Sequence, residues 1–450
     1  MSEDEKDDGK GFTFIKEEIL PKRKSRLKRI CLSLGFTVVL ALIFGIIARA
    51  AFIISEPFMN RLFGIDANKK TVVIDKEKDA KVSITPTKAP MVTITVTPTA
   101  TPTPKKKNDK ILNTTNNKYD SEKDKDQYSK EWIAMNQEMF EIAQKASTSI
   151  VTVIRTKEST DVLGSTYDAE KEIPGLIVGD NGVEYLILVP YSETKDTKRL
   201  RVLFHGKEEV EAEKVAQDKE TNLAILSVKL SDLSKDTKTN TEIAKLGESY
   251  GLQQGAPVIA IGAPNGVMNS IDYGIITNTN IVRYICDMKL ELISTSMIAC
   301  ESGIGYIINM NGEIIGIISN SFHEDINKNI CLSMGISKLK PLIEKMVNGN
   351  PRAYIGLVTE DLSNQALKEV ELDYGIYVAD VLEKSPAYEA GIQVGDIIVT
   401  INDTSVRGVT NYVNILNELK NKEDVKIKIV RLAGKSPKAI NISVTIGKRK

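Results

Sequence analysis

Histidine is almost missing from this chain: 450 residues hold two, His205 and His323. General-base catalysis and metal ligation, the usual work of imidazole, therefore have two places to reside. Cysteine is also scarce, and Cys31, Cys286, Cys300 and Cys331 are too few and too scattered for a disulfide scaffold or a Cys-rich zinc site. Charge of one sign is not in excess. The 60 Lys+Arg balance 60 Asp+Glu, which excludes the basic field of a general nucleic-acid binder. No His-Glu-x-x-His, Cys-x-x-Cys or Gly-x-x-x-x-Gly-Lys-Ser/Thr string occurs, so no metal and no cofactor is expected. What is present is enough apolar sequence, 42%, to fill the cores of two or three domains.

The longest apolar run, Ile30 to Ile47, is uncharged over 18 residues and resumes after Arg49 as Ala50 to Ile54. Helical rise over 30–54 spans the roughly 30 Å hydrocarbon core, so one transmembrane helix is expected there. No Ala-x-Ala pattern follows it; the alternative is a long signal sequence. Lys22, Arg23, Lys24, Arg26, Lys28 and Arg29 precede the run without an acid among them. By the positive-inside rule residues 1–29 form a cytoplasmic tail and the remainder is exported, giving a single-pass cell-membrane protein with its bulk extracytoplasmic. Residues 55–129 include the Thr/Pro/Lys-rich stretch with Pro86, Pro90, Pro98, Pro102 and Pro104. Alternating Thr and Pro cannot build a ladder or core, so a disordered stalk is expected. Asn113-Thr114-Thr115 fits a glycosylation sequon, a weak signal.

From Lys130 to Ala146, Trp132, Met135, Met139, Ile142, Ala143 and Ala146 recur at helical spacing. The period then changes to two. Ser149 to Ile154 alternates, and Asp180-Asn181-Gly182 separates two apolar runs, a strong hairpin signal. Further β runs include Val210 to Val215, Ile271 to Thr277 and Leu290 to Ile293. Ten or more short strands with few helices predict a mainly β domain over 130–347, with room for two six-stranded barrels.

Residues 350–447 read as a separate unit. Gly375 to Val378 is a strand, Ser385-Pro386 opens a short helix that Gly391 closes, and Gly395-Asp396 turns into Ile397 to Asn402. A helix from Val409 to Leu419 and strands at Val425 to Val430 and Ile440 to Ile446 follow. The string from Ser385 to Asn402 resembles a PDZ domain. That resemblance implies a peptide added as a strand to a sheet edge, its carboxylate captured by free backbone N–H groups. The matching turn is Tyr354-Ile355-Gly356-Leu357, with Ile355 and Leu357 lining the apolar pocket and Gly356 permitting close approach. The alternative is a groove that is unused or filled by the chain itself.

A membrane anchor, a stalk, a ten-strand β domain and one C-terminal PDZ domain, in that order, resemble the HtrA family of trypsin-like serine proteases (DegP/DegS-type). Landmarks are Asn222-Leu-Ala-Ile-Leu226, Gly262-Ala-Pro-Asn-Gly266 and Gly312-Glu-Ile-Ile-Gly-Ile317. The resemblance implies a trypsin-like double β-barrel with a Ser nucleophile, a His base and an orienting Asp. At the His position this chain carries Tyr191, a poor base at neutral pH. At the Asp position it carries Asn222, and counting back from Gly312 places Gly303 at the Ser position. A one-residue slip makes Ser302 the fallback nucleophile, although Glu301 and Ile304 stand near positions where that family uses glycines to form the oxyanion turn, and Tyr306 replaces its proline. His205 reads as a solvated turn residue, His323 as loop, and Cys300 lacks a base.

These replacements imply a pseudoprotease that binds terminal or extended segments of extracytoplasmic proteins in envelope quality control or regulation. The resemblance further implies a homotrimer or a hetero-assembly with an active paralogue. The competing expectations are an active endopeptidase centred on Ser302, including a Ser-Lys dyad, and a PDZ sensor signalling through the tail.

Overall fold

The computed structural model describes residues 69–75, 122–161, 164–322, 328–433 and 436–448. The expected tail, the transmembrane helix 30–54, most of the stalk and His323 lie outside the described residues. Among the described residues no helix is long and apolar enough to cross a membrane. All of them fall in one compact unit, Lys69–Lys450.

Helix α1, Glu122–Ser147, begins inside the segment expected to be stalk. Its last turns seat Met139, Ile142, Ala143 and Ala146 against the core, while Trp132 and Met135, on the same predicted stripe, are exposed. The expected stalk is corrected at a second place. Residues 69–75 dock on the domain, with Lys70 N–H donating to the Asn181 carbonyl and Val72 exchanging two hydrogen bonds with the Asn348 amide. The run Thr71-Val72-Val73-Ile74 is β-branched throughout and buries Ile74, which the Thr/Pro repeats cannot do.

The first sheet uses β1 (Ile150–Thr160), β2 (Thr166–Asp180), β3 (Glu184–Pro190), β4 (Arg199–Phe204), β5 (Glu208–Glu211), β6 (Glu213–Asp218) and β7 (Leu223–Lys229). Its order is β5-β4-β1-β2-β3-β7-β6, a seven-stranded sheet and not a closed six-stranded barrel. The single run expected over Val210 to Val215 is two strands, which accounts for the extra member. The β2–β3 hairpin turns where expected: Gly182 adopts φ 84°, and Asn181 Oδ1 accepts from the Val183 and Glu184 amides. Helices α2 (Tyr191–Thr194) and α3 (Lys235–Asn240) decorate this half.

The second half is a closed six-stranded barrel in the order β10-β13-β12-β11-β8-β9. Its strands are β8 (Pro257–Ala263), β9 (Ser270–Ile285), β10 (Met288–Ile298), β11 (Ile304–Ile308), β12 (Ile314–Ile318) and β13 (Ile330–Gly335). Strands β9 and β10 are far longer than the runs Ile271 to Thr277 and Leu290 to Ile293 that signalled them. Helix α4 (Ile336–Val347) covers the barrel, and one apolar cluster joins Leu188 and Ile225 of the sheet, Ile261 and Leu292 of the barrel and Ile343 of α4. Each such fully buried side chain contributes about 1.5–3 kcal/mol.

The C-terminal domain opens with β14 (Ala353–Tyr354) and β15 (Leu357–Asp361). Then come α5 (Asn364–Glu369), β16 (Ile376–Val381), α6 (Pro386–Ala390), β17 (Ile397–Ile401), β18 (Thr404–Ser405) and α7 (Val409–Glu418). Strands β19 (Asp424–Ala433), β20 (Ser436–Thr445) and β21 (Gly447–Lys448) complete it. The sheet runs β15-β16-β17-β19-β20, so β15 is an edge strand, and α7 turns Val409, Tyr412 and Leu416 inward beside it.

Candidate functional site

Two places bring sequence-predicted residues together. The first lies where the sheet meets the barrel. Strand β3 ends at Pro190 and Tyr191 opens α2. Asn222, just before β7, sits at φ 55°, a left-handed conformation that asparagine tolerates better than most residues. From there its carbonyl accepts the Tyr191 N–H at 2.9 Å and its Oδ1 accepts the Ser192 N–H at 2.7 Å. Asn222 thus satisfies two amides at the helix start that would otherwise lack intrahelical partners. Tyr191 packs with Ile304 against the core of the first sheet, and Lys214 Nζ lies 5.6 Å from its ring centroid.

The segment expected to carry a nucleophile is a tight turn. Gly303 N–H donates to the Cys300 carbonyl at 2.8 Å, and Asn320 Nδ2 donates to the carbonyls of Cys300, Glu301 and Gly303. A Cβ added at Gly303 would stand 2.4 Å from the Pro264 carbonyl oxygen, closer than any real Cβ contact. Among the described residues Ser302 Oγ has one hydrogen-bonding neighbour, Cys300 Sγ at 3.3 Å. The next residue inward, Tyr306, is buried, and its hydroxyl donates across to Leu188 O at 3.0 Å, with Pro174 O at 3.4 Å. Burial pushes the Tyr306 phenol well above its ordinary pKa, so it remains a donor. What is left between Pro190, Asn222, Gly305 and Tyr306 is a cavity of about 20 Å³. A volume of that size has room for about one water.

His205 lies outside this cluster. It occupies the β4–β5 turn, exposed at φ 48°, with Nε2 3.2 Å from Thr241 Oγ1, and partial burial lowers its pKa. No cluster of three or more His, Cys, Asp or Glu suited to a metal occurs among the described residues.

The second place is the turn Tyr354 to Leu357, and here an expectation is corrected. The N–H groups are not free. Ile355 and Gly356 donate to Asp287 Oδ2 at 2.9 and 2.7 Å, and Leu357 donates to Asp287 Oδ1 at 3.2 Å. Tyr412 of α7 adds its hydroxyl to Oδ1 at 2.8 Å. The Ile355 and Leu357 side chains belong to the domain's own core, fully buried. Gly356 is required twice over, by φ 92° and because a Cβ would fall 2.2 Å from Ser385 Cβ. Asp287 comes from the tip of the β9–β10 hairpin, is 2% exposed, and returns its own N–H to the Leu357 carbonyl at 2.7 Å. Arg352 braces the tip by donating to the Cys286 carbonyl at 2.6 Å. At the far end of β15, Asp361 accepts from Tyr284 and Lys289 of the hairpin and from the Val409 amide of α7. Burial raises the Asp361 pKa, but those three donors outweigh it and hold the carboxyl below its ordinary value. Sequence reasoning missed Asp287, whose only local signal is a Cys-Asp-Met tip between two β runs.

Fold and turn geometry together define a trypsin-like peptidase fold followed by a PDZ domain. Family models agree: a trypsin-like peptidase domain matches residues 176–317 and a PDZ domain matches 377–431. The chain is similar to proteins of the HtrA family. It is 28% identical over 286 residues to a probable periplasmic serine endoprotease DegP-like of Pseudomonas putida (strain GB-1), covering 61% of this chain and 55% of that protein. It is 27% identical to the serine protease Do-like HtrA of Bacillus subtilis (strain 168), covering 58% of this chain and 61% of the relative. Against mitochondrial serine protease HTRA2 of Bos taurus the figures are 23%, 65% and 64%. The chain thus spans little more than half the length of the curated relatives it matches. Among solved structures, the HtrA-type protease AlgW with tripeptide superposes with a TM-score of 0.50 at 22% identity, over 69% of this chain and 96% of that one. That likeness concerns the fold.

Proposed function

We propose that this chain is a non-catalytic HtrA-like protein, anchored in the cell membrane by residues 30–54, that binds chain ends or extended segments through its PDZ domain in envelope protein quality control. The observation that carries the reading is the state of the three triad positions. Tyr191 packs as an apolar side chain, Asn222 spends its side chain on the start of a helix, and Gly303 sits too close to the Pro264 carbonyl for a serine Cβ. Each replacement has a structural task of its own, and none supplies the imidazole, carboxylate or serine hydroxyl that the triad requires. The solved HtrA-type proteases that carry a tripeptide or a decapeptide support peptide recognition as the retained activity. Assembly as a trimer, or with an active paralogue, would present several grooves at high local concentration and raise avidity without new contacts.

The test is direct. The full chain and its Ser302→Ala variant are offered unfolded casein and a fluorophosphonate probe. Neither is expected to cleave or label, and the two should be indistinguishable. Cleavage or labelling that disappears in the variant would establish the competing reading, an endopeptidase centred on Ser302.

A further inference from the structure

The β9–β10 hairpin is longer than the barrel needs. Strand β8 pairs with β9 only through Ser270 to Ile275, and β13 pairs with β10 only through Leu292 to Ile298. Residues 282–291 pair only with each other, as a two-stranded arm. The arm's tip, Cys286-Asp287-Met288, is nevertheless buried: β15 and α7 bond Asp287, and Met288 packs in the peptidase-like core. A buried carboxylate is costly unless its acceptor sites are filled. Here they are filled evenly: two amides on Oδ2, one amide and the Tyr412 hydroxyl on Oδ1. Four donors match the capacity of one ionised carboxylate. Tyr412 remains protonated, since burial, then the charge of Asp287, raises its pKa.

We infer that these four groups form a carboxylate cradle held closed by the chain's own arm, and that a peptide binds by exchanging its terminal carboxylate for the side chain of Asp287. The inference rests on the peptide-binding reading above and adds to it the regulation of that site. Arm and peptide cannot both be seated, because the cradle offers one set of donors. The Asp287 N–H to Leu357 carbonyl bond takes the first rung of the β15 edge, where an added strand would start. Tyr284 and Lys289 fasten the arm to Asp361 at the other end of that edge. A free α-carboxylate reproduces the acceptor pattern of Asp287; a C-terminal amide points N–H groups at donors and does not. The arm acts as a tethered competitor, so the apparent Kd for a peptide is the intrinsic value divided by the fraction of molecules with the arm out. No residue of 282–291 pairs with β8 or β13, so the arm can leave with those ladders intact, although Met288 and Leu290 then give up burial in the peptidase-like core.

The experiment uses the full chain as wild type, Asp287→Ala and Asp287→Asn, with fluorescein-labelled peptides ending in Val, Leu or Phe, each as free acid and as amide. Binding is read by polarisation and amide hydrogen exchange by NMR or mass spectrometry. Asp287→Ala is expected to tighten free-acid binding by about ten-fold or more, with no gain for the amides. Exchange at Ile355, Gly356 and Leu357 should be slow in wild type and fast in the variant without peptide. Asp287→Asn keeps the side-chain volume should the alanine variant misfold, and should shift both readouts in the same direction. Equal affinity of wild type and both variants for the free acids would overturn the self-capping and leave the peptide-binding reading intact. Binding by none of the three would overturn the peptide-binding reading, and the exchange step with it.

Discussion

Replacing Tyr306 with alanine is expected to destabilise the peptidase-like domain by about 3–5 kcal/mol, the range for truncating a large aromatic in a packed core. Tyr306 is 2% exposed and sits on β11 at the junction of sheet and barrel. Its removal leaves a void there and deprives the Leu188 carbonyl of its side-chain donor across the junction. Tyr306→Phe separates the two contributions. It keeps the ring and loses the hydroxyl, and should cost about 1 kcal/mol, the net worth of a typical hydrogen bond. Urea unfolding of the three proteins, monitored by far-ultraviolet circular dichroism, measures both steps. A loss below about 1 kcal/mol for the alanine variant would mean that the two halves are not joined through this ring. The prediction bears on the candidate site, because Tyr306 follows closely on the turn that carries Ser302 and Gly303 and ties it to β3.

Much of the fold was legible in the sequence because its signals are local. Asp180-Asn181-Gly182 announces the β2–β3 turn through side-chain to backbone bonds spanning two or three residues. Ser385 accepts the Tyr388 amide to start α6, and Gly391 at φ 85° ends it, as the PDZ-like string implies. Tyr191 and Asn222 are distant in sequence, and their meeting is implied by the HtrA resemblance and not by the apolar pattern of the strands beside them. The Asp287 seat is implied by neither. Its partners lie 68 to 70 and 125 residues away, and an aspartate at a hairpin tip ordinarily faces water. Asn278-Thr279-Asn280 inside β9 also lowers β propensity where the strand in fact continues past a register shift. Likewise, the docking of residues 69–75 depends on Asn348, and no local pattern in a polar stalk reveals a partner 276 residues on.

The same separation of local from tertiary signals shapes the second large effect, at Asp396. Its carboxylate is 1% exposed and accepts Arg431 in a two-pronged pair, at 2.6 and 2.7 Å, together with the Gln393 amide at 2.8 Å. This pair ties the turn before β17 to β19, the strand beside it in the sheet. Asp396→Ala removes one partner of a buried pair, a change that typically costs about 3–5 kcal/mol. The lower end is expected here, since the Arg431 side chain is 29% exposed and can rehydrate. Asp396→Asn keeps the shape, retains the Gln393 contact and should lose about half as much, because hydrogen bonds to charged groups contribute about 1.5–3 kcal/mol. The loss should be confined to the PDZ domain. Calorimetry is expected to show a low-temperature transition split from that of the peptidase-like domain, and hydrogen exchange should quicken at Ile355 to Leu357 together with β17 and β19. Unfolding the cradle also releases the arm, so the Asp287 amide, held by the Leu357 carbonyl, should lose protection in the same step while Leu292 and Ile293, inside the barrel, keep theirs. A single transition lowered as a whole would show instead that the arm binds the two domains into one cooperative unit.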